Sequence, residues 1–261
     1  MARMRSKRHR QEREERQFKE RRKTDQGIFD TRTMVYLGKF FNKRIITKLG
    51  TPIARGKEAD IYLADAGESE TVSGEKFVAV KFFRIEASAF IKMMKYIKGD
   101  PRFDRQIGRG RESIIKTWCK KEFGNLMVAK EAGVHAPTPY MFNGNILAMQ
   151  FLGDAESIAP QLNDVELEEP QRVLDAILGD MGKLYVANLV HADISEYNIL
   201  IHEGRPYMID FGQAVSIRHP SAAEFLKRDV RNITGYFAKR YGIKRDPNEA
   251  YAGVIGYLHS K

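Results

Sequence analysis

Cysteine is almost absent from this chain: Cys119 is the only one in 261 residues. It has no partner for an internal disulfide, and the economical reading is an intracellular protein. No apolar run approaches the length of a membrane span, and no apolar N-terminal stretch marks a secretory signal. The expectation is therefore a cytoplasmic protein with no membrane contact. Internal repeats, Pro-rich tracts and Gln/Asn-rich tracts are also missing. Five of the six histidines (His9, His135, His202, His219 and His259) show no metal-ligand spacing. His191 sits before a buried loop and reads as a packing residue behind it. What is there is a hydrophobic fraction of 43%, enough over this length to bury a sizeable core.

The net charge of +10 is unevenly spread. Residues 1–24 hold 11 Lys/Arg and 4 Glu, which gives 11 − 4 = +7 and leaves +3 for the rest. The basicity belongs to an N-terminal arm, taken here as residues 1–26. Such an arm is drawn to polyanions by counterion release, with RNA the obvious partner. A solvated, partly helical arm is the alternative, because Glu12, Glu14, Glu15 and Glu20 interleave the cations.

Periodicity organises the remainder. Met34, Leu37, Phe40 and Phe41 follow helical spacing over residues 31–42, with Asp30 or Thr31 as the N-cap. The stretch from Ile45 to Leu49 leads to a loop. Asp60-Ile-Tyr-Leu-Ala and Phe77-Val-Ala-Val-Lys-Phe-Phe read as a strand pair joined by a polar connector. Residues 84–112 lack a clear period and read as a mobile basic loop. Ser113 is the expected cap of a helix running to about Ala132, with Glu122 one turn after Trp118 on its apolar side. Asn143-Gly144 marks a hairpin. A helix is expected from about Glu166 to Asn188, then short strands at 199–202 and 207–209. Helices follow from Pro220 and over residues 248–258. Strands early and helices late imply an α+β fold in two lobes: residues 27–149, then a hinge near 150–153 and a helical lobe to 261.

The chemistry concentrates in HADISEYNIL and YMIDFG, between His191 and Gly212. Asp193 and Asn198 lie five residues apart on a loop, and Asp210 closes an apolar run before Phe-Gly. Two carboxylates and an amide oxygen suit phosphoryl transfer: one carboxylate orients a hydroxyl, while the amide and the other carboxylate hold Mg²⁺ against nucleotide phosphates. Upstream, GKEADIY (Gly56, Lys57 onward) precedes a strand, where glycine lets backbone pass close to phosphates. Lys81 ends the run Phe77–Val80: a Lys there either meets a fixed anion, with Glu122 the carboxylate placed to hold it, or snorkels out from the strand end.

This set of residues resembles the atypical RIO family of protein kinases over about residues 27–245. HADISEYNIL is similar to that family's catalytic loop, GKEADIY to its shortened phosphate loop, and HPSAAEFLKRDVRNI to its C-terminal helix. SEYN and KTWCKKEFGNL fit the RIO1 branch, and the stretch before Gly56 is too short for a winged-helix domain of the RIO2 type. The resemblance implies a bilobal kinase-like fold of the compact archaeal form, with a small β-rich N-lobe and a mainly helical C-lobe. That C-lobe lacks the long activation segment and peptide-docking helices. It implies ATP as substrate and Mg²⁺ as cofactor, with Mn²⁺ as a substitute. Lys81 would contact the α/β-phosphates and pair with Glu122. Gln150 and Leu152 would hold the adenine through their backbone, with Met149 behind it. Asp193 would be the catalytic Asp, and Asn198 and Asp210 the metal ligands. Asp210 would also be able to take the γ-phosphate as an acyl phosphate. Ala54-Arg55 replaces the family's Ser-Thr before Gly56, and Gln150 stands where an acid is frequent. The missing docking segment favours autophosphorylation (Ser88 and Ser113 flank the basic loop) or an ATP-driven binding switch. The family's link to small ribosomal subunit maturation fits a basic arm that reaches rRNA. Two other readings stay open: a small-molecule phosphotransferase of aminoglycoside-kinase type, and a silent nucleotide-binding scaffold.

Overall fold

A computed structural model describes residues 30–84, 90–103, 108, 110–154 and 157–257. The basic arm and Ser88 lie outside the described residues. Helix α1 (Thr31–Asn42) starts where the sequence placed it, because the Asp30 carboxylate accepts the Thr33 N–H at 2.7 Å. Strands β1 (Ile46–Arg55), β2 (Ala59–Ala66), β3 (Phe77–Phe83), β4 (Pro139–Asn143) and β5 (Ile146–Gln150) form one antiparallel sheet in the order β1-β2-β3-β5-β4. Strand β1 corrects the expectation of a loop after Leu49. It continues to Arg55 through register shifts, and Gly50 allows the close passage: a Cβ there would sit 2.9 Å from the Leu63 carbonyl oxygen.

The central strand β3 is buried along nearly its whole length, which is why it reads as a continuous apolar run. Its side chains alternate between two cores. Val78, Val80 and Phe82 pack with Leu37 and Phe40 of α1, while Ala79 and Phe83 join the core shared with the helical lobe. Lys81 therefore points to the interlobe side. The β4–β5 turn is Gly144–Asn145, one residue later than the Asn-Gly signal implied. Gly144 takes φ +62°, and Asn145 is buried with its Nδ2 donating to the Phe83 carbonyl at 2.9 Å.

The stretch 84–112 is not all loop. It holds helix α2 (Phe90–Ile97); the carbonyls of Lys95 in its last turn and of Lys98 just past its end accept from His219 Nε2 at 3.2 and 3.1 Å. Helix α3 (Arg111–Glu131) begins two residues before Ser113, with Gly110 at its cap position at φ +100°. Ser113 lies in its first turn and is no cap.

The second lobe contains α4 (Pro170–Val186), β6 (Leu189–Val190), β7 (Ile199–His202), β8 (Arg205–Met208), β9 (Val215–Ser216), α5 (Ala222–Tyr241) and α6 (Pro247–Ile255). Helix α4 starts four residues later than Glu166. Pro170 occupies its first turn, where a missing N–H is harmless and the fixed φ suits the helix. Strand β8 starts at Arg205, two residues earlier than expected. Strands β7 and β8 form a hairpin, and β6 pairs with β9. Among the described residues no helix is long and apolar enough to cross a membrane.

Candidate active site

Strand period and helix period together assemble the first part of the site. Lys81 faces α3, and Glu122 lies one turn beyond Trp118 on the buried side of that helix. Lys81 Nζ lies 2.8 and 3.0 Å from the two Glu122 oxygens and 3.1 Å from Asp210 Oδ1. Burial pulls the lysine pKa down, but the Asp210 and Glu122 carboxylates outweigh it and hold the ammonium above its usual range. The same ammonium, more than burial opposes it, keeps Asp210 below the ordinary carboxylate range.

Asp210 sits in the left-handed region at φ +63°, as does Ala192 at φ +65° just before Asp193. Each such non-glycine residue costs on the order of 1–3 kcal/mol, so the surrounding structure must impose it. Behind Asp210, Lys121 Nζ donates to the carbonyls of Gly212, at 3.0 Å, and of Ala214. Asn125 Nδ2 donates to the carbonyls of Phe211 and Ala214 at 2.8 and 2.9 Å. Gly212 is required by close approach, since a Cβ there would lie 2.8 Å from the Trp118 indole nitrogen. The catalytic-type loop is fixed from α5. Fully buried Asp229 accepts the Ala192 and Ile194 N–H groups at 2.7 and 3.2 Å. Arg228 donates to the Ala192 carbonyl, and Asn232 to that of Ile194 at 3.1 Å.

Sequence reasoning missed Lys121, Asn125, Asp229, Arg228 and Asn232. A signal existed for Asp229: it shares a helical face with Ile233 and Phe237, and a charge on an apolar face has to be hydrogen-bonded. Lys121 and Asn125 lie within KTWCKKEFGNL, and Arg228 and Asn232 within HPSAAEFLKRDVRNI, but nothing local in either stretch says what they hold.

The interlobe cleft, about 360 Å³, is lined by Gly56, Lys57, Lys81, Met149, Gln150, Leu152, Asn198 and Asp210. Glu122 stands behind Lys81, outside the cleft wall. Gly56 turns tightly, its N–H bonding the Ala59 carbonyl at 2.9 Å, and Arg55 also lines the wall. At the end of β5 and just after it, the Gln150 N–H donates to the Thr138 carbonyl at 2.7 Å, and the Leu152 carbonyl accepts from the Ala159 N–H at 2.9 Å. Among the described residues the Leu152 N–H makes no backbone hydrogen bond, which leaves it as a donor at that edge. Asp193 lines a neighbouring cleft of about 340 Å³. Its Oδ2 accepts from Asn198 Nδ2 at 3.0 Å and from Gln213 Nε2 at 2.8 Å. Burial and the Asp210 carboxylate push Asp193 up to about 6, in the range of a base that works near neutrality. Asn198 commits its amide nitrogen to Asp193, so its Oδ1 is the acceptor on offer. That oxygen and the half-exposed Asp210 carboxylate are hard donors of the kind Mg²⁺ uses beside substrate phosphates.

His191 packs edge-on against Phe211, and its Nε2 donates to the Ile209 carbonyl at 3.1 Å. Among the described residues its buried Nδ1 has no hydrogen-bond partner, so a proton there would be stranded. Burial accordingly depresses its pKa from 6.5 to about 4. The unfolded chain takes up that proton first, so this contribution to stability is present above pH 6.5 and is lost as pH falls toward 4. Urea unfolding should show about 2 kcal/mol less stability at pH 5 than at pH 7 from this residue. His191→Gln should flatten that interval, and an unchanged slope would remove His191 as its source.

The RIO1 family model, described as RIO domain, matches residues 60–250. The RIO-type serine/threonine-protein kinase Rio1 of Haloferax volcanii is 40% identical over 234 residues, which is 90% of this chain and 78% of that protein. The protein of the same name in Thermoplasma acidophilum is 46% identical over 178 residues, covering 68% of this chain and 93% of its own length. Among solved structures, the Rio2 kinase–ADP/Mg²⁺–phosphoaspartate complex from Chaetomium thermophilum aligns over 87% of this chain and 69% of that one. Its TM-score is 0.60 at 19% identity, a likeness of fold.

Proposed function

The chain belongs to the RIO family of serine/threonine-protein kinases, and we propose that it moves the γ-phosphoryl group of Mg²⁺-ATP through the interlobe site. The observation that carries this reading is Lys81 held between Glu122 and Asp210 at the wall of a cleft that also holds Asn198. The nucleotide lies between the sheet lobe (27–149) and the helical lobe (150–261). Gly56 and Lys57 border its phosphates, and Lys81 meets the α/β-phosphates. The Gln150 and Leu152 backbone faces the adenine, with Met149 behind it. Asn198 Oδ1 and Asp210 would hold Mg²⁺, with Mn²⁺ as a substitute. When bound, the cation neutralises phosphate charge. Asp193 takes the proton of the attacking hydroxyl or water. Asp210 acts as a first acceptor: a carboxylate oxygen bonds the γ-phosphorus, the bond to the β-phosphate oxygen breaks, and ADP leaves. A water or a Ser/Thr hydroxyl, the chain's own included, then takes the phosphoryl group: its oxygen bonds phosphorus, the bond to the Asp210 oxygen breaks, and the carboxylate is regenerated, with water giving net ATP hydrolysis. Family membership weighs against the aminoglycoside-kinase alternative, and the complete set of chemical groups weighs against a silent scaffold.

The cellular partner proposed is a precursor of the small ribosomal subunit in the cytoplasm, reached through the +7 charge of residues 1–24. Affinity capture from cells, with and without ATP, should bring small-subunit precursors with the full chain and fewer with a chain lacking residues 1–24. Equal recovery by both would discard the arm as the RNA contact.

A further inference from the structure

Gln213 belongs to none of the motifs that the sequence displays. It ends the one-turn helix Phe211–Gln213 that follows Asp210, and its side chain reaches across to Asp193. A carboxylate only accepts hydrogen bonds, so the amide nitrogens of Gln213 and Asn198 both donate to it. They converge on one oxygen, Oδ2, at 2.8 and 3.0 Å. Among the described residues no hydrogen bond is made to Oδ1. An aspartate carboxylate otherwise turns about a broad, roughly two-fold torsion. Two donors on one oxygen remove that freedom and decide which oxygen is presented.

The surroundings give the choice a consequence. Asp193 and Gln213 together line the second cleft, whose other walls include Tyr96 of α2 and Trp118 of α3. Glu58 and Trp118 border both clefts, so the second adjoins the first. Gln213 is itself held. The carbonyls of Gly212 and Ala214 on either side of it accept from Lys121, and Asn125 also reaches Ala214. Both residues lie on α3, the helix that carries Glu122.

We propose that Gln213 is a positioning residue for Asp193: it pins Oδ2 so that Oδ1 is the oxygen offered to an acceptor hydroxyl or water in the second cleft. This rests on the reading of Asp193 as the proton acceptor. It also makes α3 the common support of two parts of the site, Lys81 through Glu122 and Asp193 through Gln213.

Two variants test it. Gln213→Met keeps the chain length and removes the donor. Gln213→Glu keeps the shape and sets a carboxylate against Asp193. The first should lower kcat about 10- to 100-fold, as a misplaced catalytic group does, with KM for ATP unchanged. The second should lose at least as much despite being the closer isostere. ATP affinity measured on both variants reports that they are folded, since Gln213 does not line the nucleotide cleft. A residue that merely fills space predicts the reverse order, with Glu milder than Met. That order, or wild-type kcat in Gln213→Met, would overturn the proposal. Asp193→Asn separates the two levels. If that variant is silent while Gln213→Met is normal, only the positioning role fails. If Asp193→Asn turns over normally, the reading beneath it fails.

Discussion

Asp193→Asn is expected to lower steady-state turnover of Mg²⁺-ATP by about 100- to 10,000-fold, the range for loss of a general base. ATP affinity should stay close to wild type, because Asp193 lines the neighbouring cleft and not the one around Lys81. The substitution keeps the shape and an oxygen that still accepts from Gln213 and Asn198, so the loop between Ala192 and Asn198 should hold. Its anchors are on α5: Asp229, Arg228 and Asn232 bind the backbone of Ala192 and Ile194 and make no use of the Asp193 carboxylate. What is lost is basicity alone. Steady-state kinetics with equilibrium ATP binding on the same protein decides it, and wild-type turnover would remove Asp193 from the mechanism.

Asp210→Ala should be the more damaging change, because it removes a group with three tasks. The Asp210 carboxylate balances the Lys81 ammonium, supplies an oxygen for the cation, and is the proposed first acceptor of the γ-phosphate. Electrostatic stabilisation by a bound cation contributes several kcal/mol to such reactions and the acceptor is lost with it, so turnover should fall about 10,000-fold or more. Unlike Asp193→Asn, this variant should also lose the Mg²⁺ dependence of ATP binding. Glu122 alone would then hold Lys81. The acceptor role has its own signature. Wild-type protein quenched after exposure to γ-labelled ATP should carry hydroxylamine-labile label, and Asp210→Ala should carry none. Acid-stable label alone would mean transfer to Ser/Thr without the acyl phosphate.

Much of this site was legible because its parts obey short-range rules. Period two along β3 puts Lys81 on the face of Ala79 and Phe83, and period 3.6 along α3 puts Glu122 below Trp118. The five-residue step from Asp193 to Asn198 lies within one loop. The α+β order of strands then helices needed only hydrophobic periodicity, and Asp30 and Gly144 marked a helix start and a turn. The rest depended on distant segments. Asp229 answers N–H groups more than thirty residues earlier, and Lys121 answers carbonyls some ninety residues later. Gln213 follows Phe-Gly as an ordinary polar residue until folding brings it to Asp193. Helix α2 escaped notice because it is short and steadied from outside, by His219 on the carbonyls at its end and Phe225 against Tyr96. Strand β1 escaped because its register shifts break the alternation that identifies a strand.

The central claim is that Lys81, Asp193, Asn198 and Asp210 form a working phosphoryl-transfer site. A single-turnover experiment tests it most directly, with protein in excess over γ-labelled ATP and Mg²⁺ either present or removed by chelator. The account predicts that label leaves ATP only when Mg²⁺ is present, appearing on the protein or as free phosphate. ATP that binds fully in the presence of Mg²⁺ and stays intact would contradict it, and would leave a nucleotide-binding scaffold in its place.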